Sequence, residues 1–228
     1  MSNADVAIRP PPTSAWHMYR AMVGVGVLCG LLIVTVFQAT LPIIERNKAE
    51  ALQEAIFNVL PQATRSATFR LDDENGFSGA TGKATGGRMI HAGYDDDGKL
   101  VGLAVEARGM GYQDVIALIY GYSPAEQAII GIQVLESKET PGLGDKIATD
   151  PAFLANFERL DVSLGEDRTK LLHAIVPVKS GEKTEPWQID GITGATISSV
   201  AVASILDESA EFWAPRIQRS LTDFEEGK

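Results

Sequence analysis

The stretch DGITGATISS, Asp190–Ser199, organises the reading of this chain. It sets three hydroxyl residues, Thr193, Thr196 and Ser198, around a small-residue turn at Gly194–Ala195. An apolar helical pattern follows through Ile197, Val200, Ala201, Ile205 and Leu206. The start of a helix exposes free backbone N–H groups and the positive end of the helix dipole, which suits a phosphate. A threonine hydroxyl at that place either caps the helix, as Ser and Thr commonly do, or itself carries a phosphate.

Some fifty residues upstream lies a second unusual stretch, SKETPGLGDKI, Ser137–Ile147. Pro141, Gly142 and Gly144 predict a tight loop directly after a strand. Glu139 and Thr140 stand at its mouth and Leu143 is an apolar residue at its tip. A rigid loop with one apolar side chain and a few polar groups suits a flat aromatic ring. The other reading is an ordinary turn whose Leu143 tucks into the core.

The N-terminal part has a different character. No charged residue occurs from Ala21 to Ile44, and ten Val, Leu, Ile and Phe residues lie between Val23 and Phe37. Each contributes about −0.3 to −0.6 kcal/mol toward membrane insertion, and a span of about 20 residues crosses the hydrocarbon layer. A transmembrane helix is therefore expected over 21–41, after an arm over 1–20 that carries Pro10, Pro11 and Pro12. A cleaved signal peptide fits less well: its apolar region is shorter, and the best register would put Phe37 where a small residue is wanted. Gly26 and Gly30 form a G-x-x-x-G pair, which either packs against a membrane partner or reflects how common glycine is in such helices. Arg9 and Arg20 precede the span while Arg46 and Lys48 follow it, so positive charge leaves the orientation a tie.

The 228 residues carry a formal net charge of −10, and no basic patch with interleaved aromatics occurs, which argues against a nucleic-acid partner. Cys29 is the single cysteine and lies in the apolar span, so intrachain disulfides and four-cysteine metal sites are excluded. His17, His91 and His173 pair with no Cys or carboxylate motif, and no G-x-G-x-x-G or Walker loop is present. No catalytic or metal-binding residue is assigned. After Pro42, Ile43–Leu60 reads as a helix ended by Pro61. Ser66–Leu71, Arg88–Tyr94, Leu100–Ala107, Val115–Tyr120, Ile129–Leu135 and His173–Val178 read as strands. Asp95–Gly98 reads as a hairpin turn rather than a calcium loop. Pro151–Leu160 reads as a short helix and Thr196–Trp213 as a long one, followed by a frayed tail around Asp223–Glu226. The class expected is α+β, with one mainly antiparallel sheet and flanking helices.

Asp190, Thr193, Gly194, Ala195, Thr196 and Ser198 fill every position of the signature of proteins that carry FMN on a threonine through a phosphoester. That motif, the ETPGLG string, and a leading membrane helix followed by TLPIIERNKAEAL (Thr40–Leu52) occur together in one family. From about Arg20 to Trp213 the chain resembles the G subunit of Rnf electron-transport complexes, which move electrons between ferredoxin and NAD and couple them to ion translocation. Its sister is the C subunit of the sodium-translocating NADH:quinone oxidoreductase, which remains the alternative. A non-redox, membrane-anchored anion-binding module is the reading from a different class.

The resemblance implies a single N-terminal transmembrane helix, an FMN-binding domain over 42–215 and an acidic tail over 216–228. It implies that Thr196 holds covalent FMN, with Thr193, Gly194, Ala195 and Ser198 beside it. Glu139, Thr140, Leu143 and Gly144 would line the isoalloxazine ring, and Asp190 belongs to the signature without an assigned role. It further implies other membrane subunits as partners and a flavin transferase that attaches FMN from FAD. The FMN domain would lie on the periplasmic side of the inner membrane.

Overall fold

A computed structural model of the chain describes residues 15–72, 76–80 and 88–225. Most of the expected arm, and the last three residues of the tail, lie outside the described residues. Two units are distinguished, residues 1–50 and 51–228.

The first unit is dominated by α1 (Ala15–Val59), a helix unbroken through Pro42. Its apolar side chains from Val23 to Phe37 are exposed. Among the described residues it is the one helix long and apolar enough to cross a membrane. Thr35 and Thr40 turn their hydroxyls back onto backbone carbonyls, Thr35 Oγ1 donating to Leu31 O (2.7 Å) and Thr40 Oγ1 to Val36 O (2.9 Å). A polar side chain in an apolar helix is satisfied in this way within its own backbone.

The second unit is an α+β domain. Its seven-stranded sheet has the order β2-β1-β3-β4-β5-β6-β7, antiparallel throughout. The strands are β1 (Arg65–Leu71), β2 (Phe77–Gly79), β3 (Met89–Tyr94), β4 (Leu100–Met110), β5 (Val115–Ser123), β6 (Ala128–Glu136) and β7 (Leu160–Asp161). The long strands alternate between two faces, as period-2 geometry requires. Ile90, Ala92, Leu103, Val105, Leu118 and Tyr120 face one core, while Ala104 and Ile119 face another. Asp95–Gly98 is the expected turn: the Asp95 carboxylate accepts from Asp97 N (3.0 Å) and Lys99 N (2.8 Å). His91 packs within the sheet, its Nδ1 3.0 Å from Thr68 Oγ1 and its Nε2 3.7 Å from Glu106 Oε1.

The smaller core is covered by the last turns of α1, through Ala55, Ile56 and Val59, and by Leu60 just after it. They settle into a trough of glycines on four adjacent strands. A methyl group on Gly93 or Gly102 would come within 2.9 Å of Leu60, one on Gly131 within 3.1 Å of Val59 Cα, and one on Gly121 would run into the carbonyl oxygen of Val59. Backbone cannot yield as a side chain can, so Gly121→Ala is expected to cost about 1–3 kcal/mol by overpacking. Urea unfolding of the variant checks this; an unchanged midpoint would mean that the helix lifts off without penalty.

The larger core is closed by α2 (Pro151–Leu154), by Ile175 just ahead of β8 (Val176–Val178), and by β9 (Gln188–Asp190), α3 (Thr196–Arg219) and α4 (Thr222–Glu225). β8 and β9 form a separate parallel pair. Asp150 caps α2, its carboxylate accepting from Ala152 N and Phe153 N ahead of a proline at the first helical position. The rest of the expected Pro151–Leu160 helix tightens into a 3₁₀ turn, Ala155–Phe157.

Three expectations need correction. The strand expected from His173 begins only at Val176; His173 stacks on Trp187 instead, with ring centroids 3.8 Å apart. Helix α3 does not stop at Trp213 but continues through a buried Pro215, where Arg216 Nη1 donates to Phe212 O (2.7 Å). The tail is not frayed up to Glu225: Phe224 is completely buried, with ring centroids 5.1 Å from Phe69 and 4.7 Å from Phe77.

Candidate functional site

The two motifs meet where β6 ends and α3 begins. Thr140–Leu143 is a β-turn: Leu143 N donates to Thr140 O (3.1 Å), Pro141 takes the second position and Gly142 the third with φ +77°. Ile192–Ala195 repeats the geometry, with Ala195 N donating to Ile192 O (3.0 Å) and Gly194 at φ +87°. A positive φ at the third turn position is what glycine supplies without strain. Ser199 staples the second turn, its hydroxyl donating to Ala195 O and accepting from Ile192 N, both at 3.0 Å.

Between these turns is a pocket of about 300 Å³. Of the ten residues named from the sequence, eight line it: Glu139, Thr140, Leu143 and Gly144 from the first motif, Gly194, Ala195, Thr196 and Ser198 from the second. Leu143 does not tuck into the core; half of its surface is exposed. Thr193 and Asp190 are not among the lining residues. Asp190 instead fastens the approach to the signature. Its Oδ1 accepts from Gly181 N (2.7 Å), and its own backbone N–H and C=O are held by the Asn156 side chain (3.0 and 3.1 Å).

Two lining residues escaped the sequence reading. Tyr112 comes from the turn between β4 and β5, which carries no motif. Ile197 reads in the sequence as part of a buried stripe, but the buried stripe of α3 runs through Ser198, Ser199, Val202, Ala203, Ile205 and Leu206, leaving Ile197 58 % exposed. A helix whose inward residues include two serines disguises its register; the apolar residues beside them are the misleading signal.

The start of α3 is uncapped. Ala195 occupies the cap position and no side chain bonds there. Thr196 is the first helical residue; its side chain is exposed and, among the described residues, takes no hydrogen bond. The reading of Thr196 as a plain cap therefore does not hold. Ser198 is committed differently, its hydroxyl donating to Glu139 Oε2 at 2.5 Å. Glu139 Oε1 accepts from Tyr112 N (2.8 Å) and Gln113 N (3.1 Å). Burial pushes the Glu139 pKa up, but Ser198 and the backbone N–H groups of Gln113, Tyr112 and Asp114 together outweigh it and hold the carboxyl below its ordinary range.

An apolar slot walled by Tyr112, Leu143 and Ile197, opening onto free helix N–H groups and an unengaged hydroxyl, fits a flat aromatic ring that carries a phosphate. The FMN-binding domain family matches residues 111–211, from the β4–β5 turn into α3. The G subunit of the ion-translocating oxidoreductase complex of Methanosarcina acetivorans is 32 % identical over 193 residues, covering 84 % of this chain and 90 % of its own. The chain belongs to the family of G subunits of ion-translocating oxidoreductase complexes. Another similar protein is the G subunit of the proton-translocating ferredoxin:NAD(+) oxidoreductase complex of Clostridium ljungdahlii, 26 % identical over 81 % of this chain and 83 % of that one. Among solved structures, Shewanella oneidensis NqrC aligns with a TM-score of 0.56 over 79 % of this chain and 97 % of its own, at 19 % identity. At that identity the likeness shows that the chain shares the NqrC fold.

Proposed function

We propose that this chain is the electron-carrying subunit of an Rnf-type complex, anchored by α1 and holding FMN through a phosphoester to Thr196. The observation that carries the reading is the uncapped first turn of α3: among the described residues the exposed Thr196 hydroxyl takes no hydrogen bond beside the pocket, whereas Ser198, the other signature hydroxyl that lines it, is bonded to Glu139. FMN supplies the electron-transfer chemistry when bound, as cofactors do. The chain's residues position it. The free N–H groups at the start of α3 would meet a phosphate with the positive end of the helix dipole. Leu143, Tyr112 and Ile197 offer apolar surface against which one side of a ring would pack.

Attachment needs a transferase. Thr196 Oγ1 would take the FMN phosphoryl group of FAD, with AMP as the leaving group and the hydroxyl proton passing to a base of the transferase. A covalent bond retains the cofactor on the exported side, where free FMN would diffuse away. The domain is assigned to that side, with other membrane subunits as its electron partners. The test is the intact mass of the denatured full chain, purified from cells co-expressing a flavin transferase. The expected increment is FMN minus water on the peptide containing Thr196. An unmodified chain under those conditions overturns the covalent reading and leaves the start of α3 as a non-covalent anion site.

A further inference from the structure

The Glu139 side chain does more than fill the floor of the pocket. Its two oxygens tie the ETPGLG loop that carries it to two stretches distant in sequence: the β4–β5 turn through Tyr112 N and Gln113 N, and the first turn of α3 through Ser198 Oγ. These same three stretches supply the walls of the pocket. Two glycines make the arrangement possible. A methyl group on Gly111 would fall 2.5 Å from Glu139 Oε1, and one on Gly144 would fall 2.7 Å from Glu139 Oε2 and 2.8 Å from Ser198 Oγ. Any side chain at either position would drive the carboxylate off its donors. Glu139 is 5 % exposed and Ser198 3 % exposed, so neither is a surface group drawn in by chance.

We infer that Glu139 is a positioning residue, a latch that sets the spacing between the Leu143 loop, Tyr112 and the Thr196 turn and keeps a fixed negative charge in the wall of the cofactor site. The inference rests on the FMN reading for its electrochemical part and on geometry alone for its structural part. Ser198 acquires a role from it. The last hydroxyl of the signature is the far end of the latch. The charge has a consequence of its own. Reduction adds negative charge to the cofactor, and a buried carboxylate in the wall opposes it far more effectively than one in water. Converting Glu139 to a neutral amide therefore raises the midpoint potential.

The latch is tested first by amide hydrogen exchange on the full-length, flavin-free chain in detergent. Ser198→Ala lies on α3, yet it is expected to speed exchange at Tyr112 and Gln113 by about ten- to a hundredfold, the range that loss of one charge-assisted hydrogen bond spans. Ser198→Thr keeps the hydroxyl and should restore the wild-type rates. Unchanged exchange at Ile119 in the core of β5 marks the effect as local rather than a failure to fold. The second arm uses flavin-loaded chain, in which Glu139→Gln should carry FMN at a higher midpoint potential than wild type. Wild-type exchange at Tyr112 and Gln113 in Ser198→Ala overturns the latch, and an unshifted potential in Glu139→Gln overturns the charge. A wild-type chain that takes up no covalent FMN sinks the reading of Thr196 instead, and the exchange arm still decides the latch.

Discussion

Thr196→Ala is expected to lose all flavin that survives denaturation, while Thr140→Ala keeps it. Both hydroxyls line the pocket, so proximity alone does not choose between them. Placement does. Thr140 opens a loop turn, its carbonyl already accepting from Leu143 N. Thr196 starts a 24-residue helix whose first N–H groups have no side-chain cap, and a phosphate on its Oγ would lie against the positive end of that helix. Ser198 is two residues further on, but it is turned inward and bonded to Glu139. Thr193 lies off the pocket. The measurement is flavin absorbance in the protein fraction after acid precipitation, paired with intact mass. Thr196→Ser should retain the adduct, because the attacking atom is the same. Flavin that persists in Thr196→Ala after denaturation would move the attachment to another residue and end the assignment.

The parts of this molecule that were legible in the sequence are those fixed by local chemistry. Pro141-Gly142 and Thr193-Gly194 announce turns because the positive φ at each third position favours glycine. The long strands show themselves through β-branched residues, and the apolar helix through its lack of charge. What was illegible depends on partners far away in the chain. Phe77–Gly79 is too short to signal a strand and exists because β1 pairs with it. Tyr112 reaches the pocket only because Glu139, 27 residues later, holds the backbone of its turn. Ser198 and Ser199 are buried because their hydroxyls are bonded, Ser198 to Glu139 59 residues away and Ser199 to Ala195 and Ile192 in the turn just before it. The same bonding displaced the expected apolar stripe of α3 and left Ile197 to the pocket.

Phe224 gives the second large effect, in a stretch whose composition reads as loose tail. Its aromatic ring is fully buried between Phe69 of β1 and Phe77 of β2, and its carbonyl accepts from the Tyr94 hydroxyl at 2.8 Å. The neighbouring Asp223 carboxylate accepts from Phe77 N at 2.9 Å, so α4 also anchors the edge strand of the sheet. Truncating a buried phenylalanine costs about 3–5 kcal/mol through lost burial and the cavity left behind. For a domain of this size that corresponds to a fall in melting temperature of about 6–20 °C. Phe224→Ala should therefore melt far below wild type in a thermal scan. Leu172→Ala, at a residue 56 % exposed, should stay within about 0.5 kcal/mol of it. Equal melting of Phe224→Ala and wild type would mean that α4 leaves the core in solution and that the sheet edge at β2 is held by other contacts. The expected loss makes the final helix a structural clamp on the edge of the sheet, at the end of α3 opposite the one that starts the signature pocket.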